Sequence, residues 1–267
     1  MEVLSLVIIA CLLLGAVVGV MAGLLGIGGG LIIVPALTYL LADVMAVPAT
    51  ETIVIAIATS LSTIIFTGLS SARAHYRLGN LNREIVTWCG VGIAAGAIAG
   101  AILASYLPGQ ILKGIFAGLV MLIATYMLFG KQVTSLNSVN PRKLSTIGLG
   151  TGVFSALMGI GGGALLVPAL VWYRVNIRQA IGCAAFSGII IAIFGSLSFV
   201  VSGWSYSTFA QGYLGYVYWP ATLSIAAISV FTAPLGAKLG QRLNTQRLKK
   251  VFAVFLVLVS IRMLWGL

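Results

Sequence analysis

Long apolar runs dominate the chain, and polar residues are confined to short gaps between them. The runs fall at about residues 3–25, 28–42, 52–71, 85–106 and 112–130. They resume at 144–158, 160–173, 179–201, 214–239 and 248–266. Several pass the roughly 18 residues that an apolar helix needs to cross a bilayer. The pattern predicts an all-α polytopic membrane protein. Some runs are too short to span. Residues 29–42 as a helix reach about 21 Å at 1.5 Å per residue, against a hydrocarbon core of about 30 Å. Residues 144–158 and 160–173 share the shortfall. The economical picture is a pair of helices meeting at a turn inside the membrane, once in each half of the chain.

The two sets of runs match as an internal repeat. Gly26, Gly28, Gly30, Pro35 and Leu37 share one offset with Gly159, Gly161, Gly163, Pro168 and Leu170. Ala58-Thr59-Ser60 then parallels Ala185-Phe186-Ser187, with Gly68 facing Gly195. Gly79, Gly100, Leu107, Leu112 and Phe116 match Gly215, Gly236, Leu243, Leu248 and Phe252. The offset drifts only by loop-sized amounts. Residues 1–130 are expected to form the first membrane repeat and 145–267 the second. Residues 131–144 form a cytoplasmic linker.

Composition agrees with the pattern. The chain is 60% hydrophobic and 7% charged, with a mean hydropathy of +1.14. A soluble domain carries about a quarter charged residues. The longest polar stretch is a linker, so function must reside in the membrane bundle. Met1-Glu2 lacks the basic start of a signal peptide, and the first segment is read as retained. The net charge is +11, with no nucleic-acid-binding motif beside it. Cys11, Cys89 and Cys183 lie far apart in apolar segments and imply neither a disulfide nor a zinc site.

The basic residues report topology instead. Arg73, Arg77 and Arg83 are read into one loop, and Lys131, Arg142 and Lys143 into the next but one. Arg174 and Arg178 fall in another loop, and Arg242, Arg247, Lys249 and Lys250 in another. The loops between them are acidic or nearly uncharged. Basic loops stay on the cytoplasmic side. The N-terminus then lies outside. The two halves acquire opposite orientation, the inverted-topology arrangement of many transporters. Lys238 and Arg262 sit near segment ends, where long side chains snorkel to the interface.

Candidate chemistry lies in the doubled loop. Gly26-Ile27-Gly28-Gly29-Gly30 recurs as Gly159-Ile160-Gly161-Gly162-Gly163, with Pro35 and Pro168 at the same distance. A glycine turn at membrane depth leaves unpaired N–H groups at the start of the following helix. These groups carry the positive end of the helix dipole and form an anion site without a charged side chain. Each proline is expected to kink or unwind its helix. Close helix packing is the alternative role for glycine, and Gly15, Gly19 and Gly23 fit it. Thr59, Ser60 and Ser187 offer hydroxyls to an anion near the tips, whereas back-bonding to the helix is the competing use. Ser62 and Thr63 are weaker candidates. Cys183 is read as a small packing residue, with contact to a sulfur-containing ligand left open. His75, beside Arg73 and Arg77, is a candidate gate or vestibule residue. Trp204, Tyr206, Phe209, Tyr213, Tyr216, Tyr218 and Trp219 suggest an interfacial belt or an external lid.

The doubled motif resembles the TauE/SafE family of sulfite exporters, also called the 4-toluene sulfonate uptake permease family, over the whole chain. The residues that carry the likeness are Gly28-Gly29-Gly30 with Pro35 and Gly161-Gly162-Gly163 with Pro168. Thr59-Ser60, His75 and Gly79-Asn80-Leu81 add to it. The resemblance implies movement of small sulfur-containing anions across the bacterial inner membrane: sulfite, thiosulfate, sulfoacetate or aryl sulfonates.

No Asp or Glu lies deep in a segment, so a buried carboxylate for proton coupling is missing. No P-loop is present, and no cofactor or metal is expected. A gradient-driven facilitator fits, because an inside-negative potential favours anion exit by about 2.3 kcal/mol per charge per 100 mV. A channel, or a membrane subunit of a larger system, is the alternative. A serine protease built from His75 and Ser187 fits poorly, because the two residues fall in different halves. Small-residue faces suit either internal packing or a homodimer.

Overall fold

The computed structural model describes residues 2–26, 28–129, 140–173 and 175–242. In the last segment it describes 253–254, 256–261 and 263. Helix α1 (Glu2–Leu25) leads into a glycine turn and the short helix α2 (Gly30–Tyr39), which ends in a π-helical turn, Leu40–Val44. Then come α3 (Ala49–Arg77), α4 (Arg83–Tyr106) and α5 (Gly109–Phe129). The second half repeats the order with α6 (Pro141–Met158), short α7 (Gly163–Trp172), α8 (Ile177–Ser202) and α9 (Trp219–Arg242). Among the described residues, six helices are long and apolar enough to cross a membrane, namely α1, α3, α4, α5, α8 and α9. The chain is an all-α, multi-pass membrane protein.

Local chemistry sets the helix ends. Asn82 caps α4, its side chain accepting from the Glu84 and Ile85 N–H groups at 3.1 and 3.3 Å. Asn176 does the same for α8 through Arg178 N–H. Such caps satisfy donors that a helix start leaves free. Pro141 opens α6, where its missing N–H costs nothing.

Two boundaries differ from expectation. Helix α3 is 29 residues long and takes in Arg73, His75 and Arg77 rather than leaving them in a loop. Serine, alanine and histidine continue a helix well enough when its neighbours cover it, and the chain turns only at Gly79, φ +71°. The segment expected from residue 214 begins instead as a hairpin, β1 (Tyr213–Leu214) against β2 (Val217–Tyr218). Gly212 and Gly215 take the positive φ this turn requires, and α9 then starts at Trp219, with Pro220 in its first turn.

The packing pairs the halves reciprocally. Helix α1 lies along α9, and α4 along α6; α3 crosses α8. Helix α3 also meets α9, as α4 meets α8, and α2 packs on α3 as α7 packs on α8. Exchanging α1 with α6, α2 with α7, α3 with α8 and α4 with α9 carries these contacts into one another. The match extends to residues. A methyl on Gly100 of α4 would run into the Val153 carbonyl of α6, and one on Gly236 of α9 into the Val20 carbonyl of α1. Gly15, Gly19 and Gly23 likewise face the α9 backbone. These glycine faces therefore serve internal packing, where van der Waals contact replaces a hydrophobic drive that lipid does not provide.

Arg262, Arg174, Lys131, Arg247, Lys249, Lys250 and most of the 131–144 linker lie outside the described residues.

Candidate functional site

Each glycine turn follows one plan. Gly26 and Gly159 close the preceding helices α1 and α6 with the same left-handed φ of +65°. Their N–H groups return to Ala22 and Ala156 carbonyls at 2.9 and 3.3 Å. Gly29 and Gly162 then stand at the N-caps of α2 and α7, both at positive φ and both without a side-chain cap. The Gly29 carbonyl accepts from Ile32 and Ile33, and that of Gly162 from Leu165 and Leu166. The first N–H groups of each helix have no intrahelical acceptor, and that of Gly163 donates instead to the Gly161 carbonyl of the turn. They point back to the turn with the positive end of the dipole.

The two turns meet. A Cβ on Gly28 would sit 3.0 Å from the Gly161 Cα, and one on Gly30 would run into the Gly159 carbonyl. Gly26, Gly28, Gly29, Gly30 and Gly159 to Gly163 are all buried. Helices α3 and α8 hold the second tip. A Cβ on Gly159 would lie 3.0 Å from the Ile57 Cα of α3, and one on Gly188 of α8 would lie 3.5 Å from the Gly161 Cα.

The three candidate hydroxyls separate. Ser60 Oγ donates to the Gly159 carbonyl at 2.7 Å. Thr59 Oγ1 accepts from the Tyr218 N–H at 2.9 Å. Ser187 is 0% exposed and its Oγ has no hydrogen-bond partner among the described residues. A buried polar group left unpaired costs about 1–3 kcal/mol. Ser62 and Thr63 back-bond to the Thr59 carbonyl, both at 2.8 Å. Ser62 also meets Thr222 at 2.6 Å, and Thr67 meets Ser229 at 2.7 Å, which makes a polar seam between α3 and α9.

Neither proline ends its helix. Pro35 and Pro168 lie inside α2 and α7, which continue past them. Each ring withholds only one N–H, from the carbonyl four residues earlier.

The vestibule trio is split. Arg73 and Arg77 are exposed, while His75 is buried. Its Nε2 lies 3.1 Å from the Gly23 carbonyl, and its Nδ1 lies 3.5 Å from the Asn80 amide. This suits a neutral ring that donates from Nε2. Both ring nitrogens are engaged with these groups, and no Ser187–His75 pair forms. Asn82 reaches Cys183, its N–H donating to Sγ at 3.4 Å and its carbonyl accepting from the thiol at 3.6 Å.

Part of the aromatic group forms a cap that packs on α3 through β2. Tyr213 and Tyr218 are buried, while Trp204, Phe209 and Trp219 remain exposed. Tyr213 stacks on Tyr206 edge-to-face at 5.5 Å and on Tyr218 at 5.0 Å. Burial above all, then the Glu51 carboxylate, pushes the Tyr206 pKa above the tyrosine range. Burial, then Tyr218 and Glu51, pushes Tyr213 up to about 12. A groove of about 810 Å³ between α5 and α7, lined by Leu122, Phe129, Leu165, Pro168 and Trp172 among others, has no charged residue in its lining.

Four contributors escape a reading of the sequence. Gly188 faces the second tip, and its only signal is adjacency to Ser187. Tyr218 reaches Thr59 through its backbone, which leaves no pattern. Thr222 and Ser229 pair with α3 residues about 160 positions away.

A family model described as sulfite exporter TauE/SafE matches residues 11–263. The chain belongs to this family. A probable membrane transporter protein of Haemophilus influenzae is 42% identical over 258 residues, covering 96% of this chain and 97% of its own. One from Methanocaldococcus jannaschii is 25% identical, covering 95% and 94%. The probable membrane transporter protein YunE of Bacillus subtilis is 25% identical, covering 94% and 95%. No solved structure matches the chain. The protein is thus a multi-pass membrane member of a transporter family.

Proposed function

We propose that the protein carries small sulfur-containing anions such as sulfite, thiosulfate or organosulfonates out of the cell. The anion binds near the midplane, between the N-termini of α2 and α7. One observation carries this reading: two helix starts without side-chain caps converge where Gly28 meets Gly161, and Gly188, next to the unpartnered Ser187, faces Gly161. Backbone N–H groups and one hydroxyl suit an anion with several acceptor oxygens. Desolvating a cationic side chain is avoided.

The two halves are read as inverted repeats. The reciprocal packing of α1 on α9 and α4 on α6 supports a two-fold relation between them. The basic loops are assigned to the cytoplasm and the N-terminus to the outside, in a bacterial inner membrane. The membrane potential then drives net exit.

The test is flux in proteoliposomes with sulfite, sulfate, thiosulfate, sulfoacetate and chloride, for wild type and Ser187→Ala. Saturable flux of a sulfur anion with counterflow, weakened in Ser187→Ala, is expected. Absence of flux for every sulfur anion overturns the substrate class. Conductance without counterflow replaces the carrier by a channel.

A further inference from the structure

Ser60 and Ser187 hold the same place in the two halves, each at the end of a matched tripeptide in the long helices α3 and α8. Gly26 and Gly159 also correspond and share one backbone conformation. Ser60 donates across to the Gly159 carbonyl of the second tip. By the same correspondence, Ser187 has the Gly26 carbonyl of the first tip as its counterpart acceptor. Yet Ser187 is fully buried and makes no such bond. Two equivalent positions are therefore in two different states, one engaged and one free.

The engaged state is tied to the cap. Thr59 adjoins Ser60 on α3, and its hydroxyl receives the Tyr218 N–H. Tyr213, Val217 and Tyr218 are buried, so the cap is shut over α3 while Ser60 holds the second tip.

We infer that Ser60 and Ser187 exchange roles in the transport cycle. With the cap shut, Ser60 holds the second tip and Ser187 is free. With the cap open and the site facing the other way, Ser187 donates to the Gly26 carbonyl and Ser60 is free. The inference rests on the carrier reading and on the equivalence of the halves. In a carrier of two equivalent halves that rocks about a fixed site, exchanging their conformations yields the opposite-facing state. Each state then has one bonded serine and one free hydroxyl that can meet the anion. The number of serine-to-tip bonds is the same in both, so the exchange of these bonds by itself favours neither state.

The experiment reads cap opening without substrate. Val217, 5% exposed, is replaced by cysteine. Cys11 and Cys89 are replaced by alanine and Cys183 by serine. The protein is placed in nanodiscs, with both faces open to a soluble maleimide. The labelling rate follows the open population. Ser60→Ala removes a bond of the shut state and raises labelling about five-fold. Ser187→Ala removes a bond of the open state and lowers labelling by a similar factor. The double variant returns towards the parent, and Ser60→Thr keeps the parent rate. Changes in the same direction, or no change in folded protein, overturn the exchange. If Ser60→Ala does not fold, Ser187→Ala decides alone: a lowered rate upholds the exchange, and an unchanged or raised rate ends it. Flux is scored separately, so opposite labelling shifts without sulfur-anion flux sink the substrate class and leave the exchange standing.

Discussion

Gly28 and Gly161 stand face to face across the two turns, with a Cβ on Gly28 placed only 3.0 Å from the Gly161 Cα. Contact this tight admits no side chain at Gly28, whose φ of +71° already disfavours one. Substituting the turn glycines themselves therefore breaks the fold before it tests the site. Leucine at Gly29 would strike Val18.

Gly188 offers a cleaner probe. It lies inside α8, and an added methyl would make ordinary contact at 3.5 Å with the Gly161 Cα. Gly→Ala within a helix favours folding by up to about 1 kcal/mol. Gly188→Ala should keep its melting temperature and lose flux several-fold, and Gly188→Val should lose more. Gly150→Ala, which meets open space, should leave flux unchanged. Full flux in a folded Gly188→Val would separate the tips from transport.

The reciprocal glycine seams predict matched damage. Gly100→Ala drives a methyl into Val153, and Gly236→Ala into Val20. Overpacking of this kind costs about 1–3 kcal/mol. Thermal unfolding in detergent should show the two variants losing similar stability. A large loss in one and none in the other would mean the halves are not packed equivalently.

The sequence carried the helices and the two glycine turns, because apolar run length and a repeated glycine motif are local signals. The role of Gly15, Gly19 and Gly23 in packing was legible for the same reason. The fate of individual hydroxyls was not. Thr59, Ser60 and Ser187 look alike in sequence, yet one accepts from a strand, one donates to a tip and one is left unpaired. Those outcomes depend on partners 99 and 159 residues away. The surroundings of His75 were hidden for a similar reason. Its arginine neighbours suggest an interface, but helical spacing turns the ring inward to Gly23 while Arg73 and Arg77 face out.

Tyr213 gives the cap a pH signature. Its folded pKa of about 12 lies above the ordinary value near 10, so folding favours the protonated phenol. The linked stability is complete below pH 10 and is lost as pH climbs through 12. Tyrosinate absorbance should show a late-titrating component that shrinks by one tyrosine in Tyr213→Phe. Titration of every tyrosine near pH 10 in folded protein would mean the cap is not packed as described.

Ser60 and Ser187 should separate stability from transport. Ser60→Ala deletes a bonded hydroxyl and leaves the buried Gly159 carbonyl short of a donor, a loss of about 1–3 kcal/mol. Ser187→Ala deletes a hydroxyl that bonds to nothing in this structure, so it removes a desolvation cost and should hold or raise the melting temperature. Binding runs the other way. If the free hydroxyl meets the anion, Ser187→Ala weakens apparent affinity by about ten-fold, the worth of one hydrogen bond to a charged group. Ser187→Thr should restore part of it. Melting curves measured with and without sulfite or thiosulfate report both quantities at once. Ligand should stabilise wild type and Ser187→Thr, and do so far less for Ser187→Ala. Equal stabilisation of all three by ligand would remove Ser187 from the site.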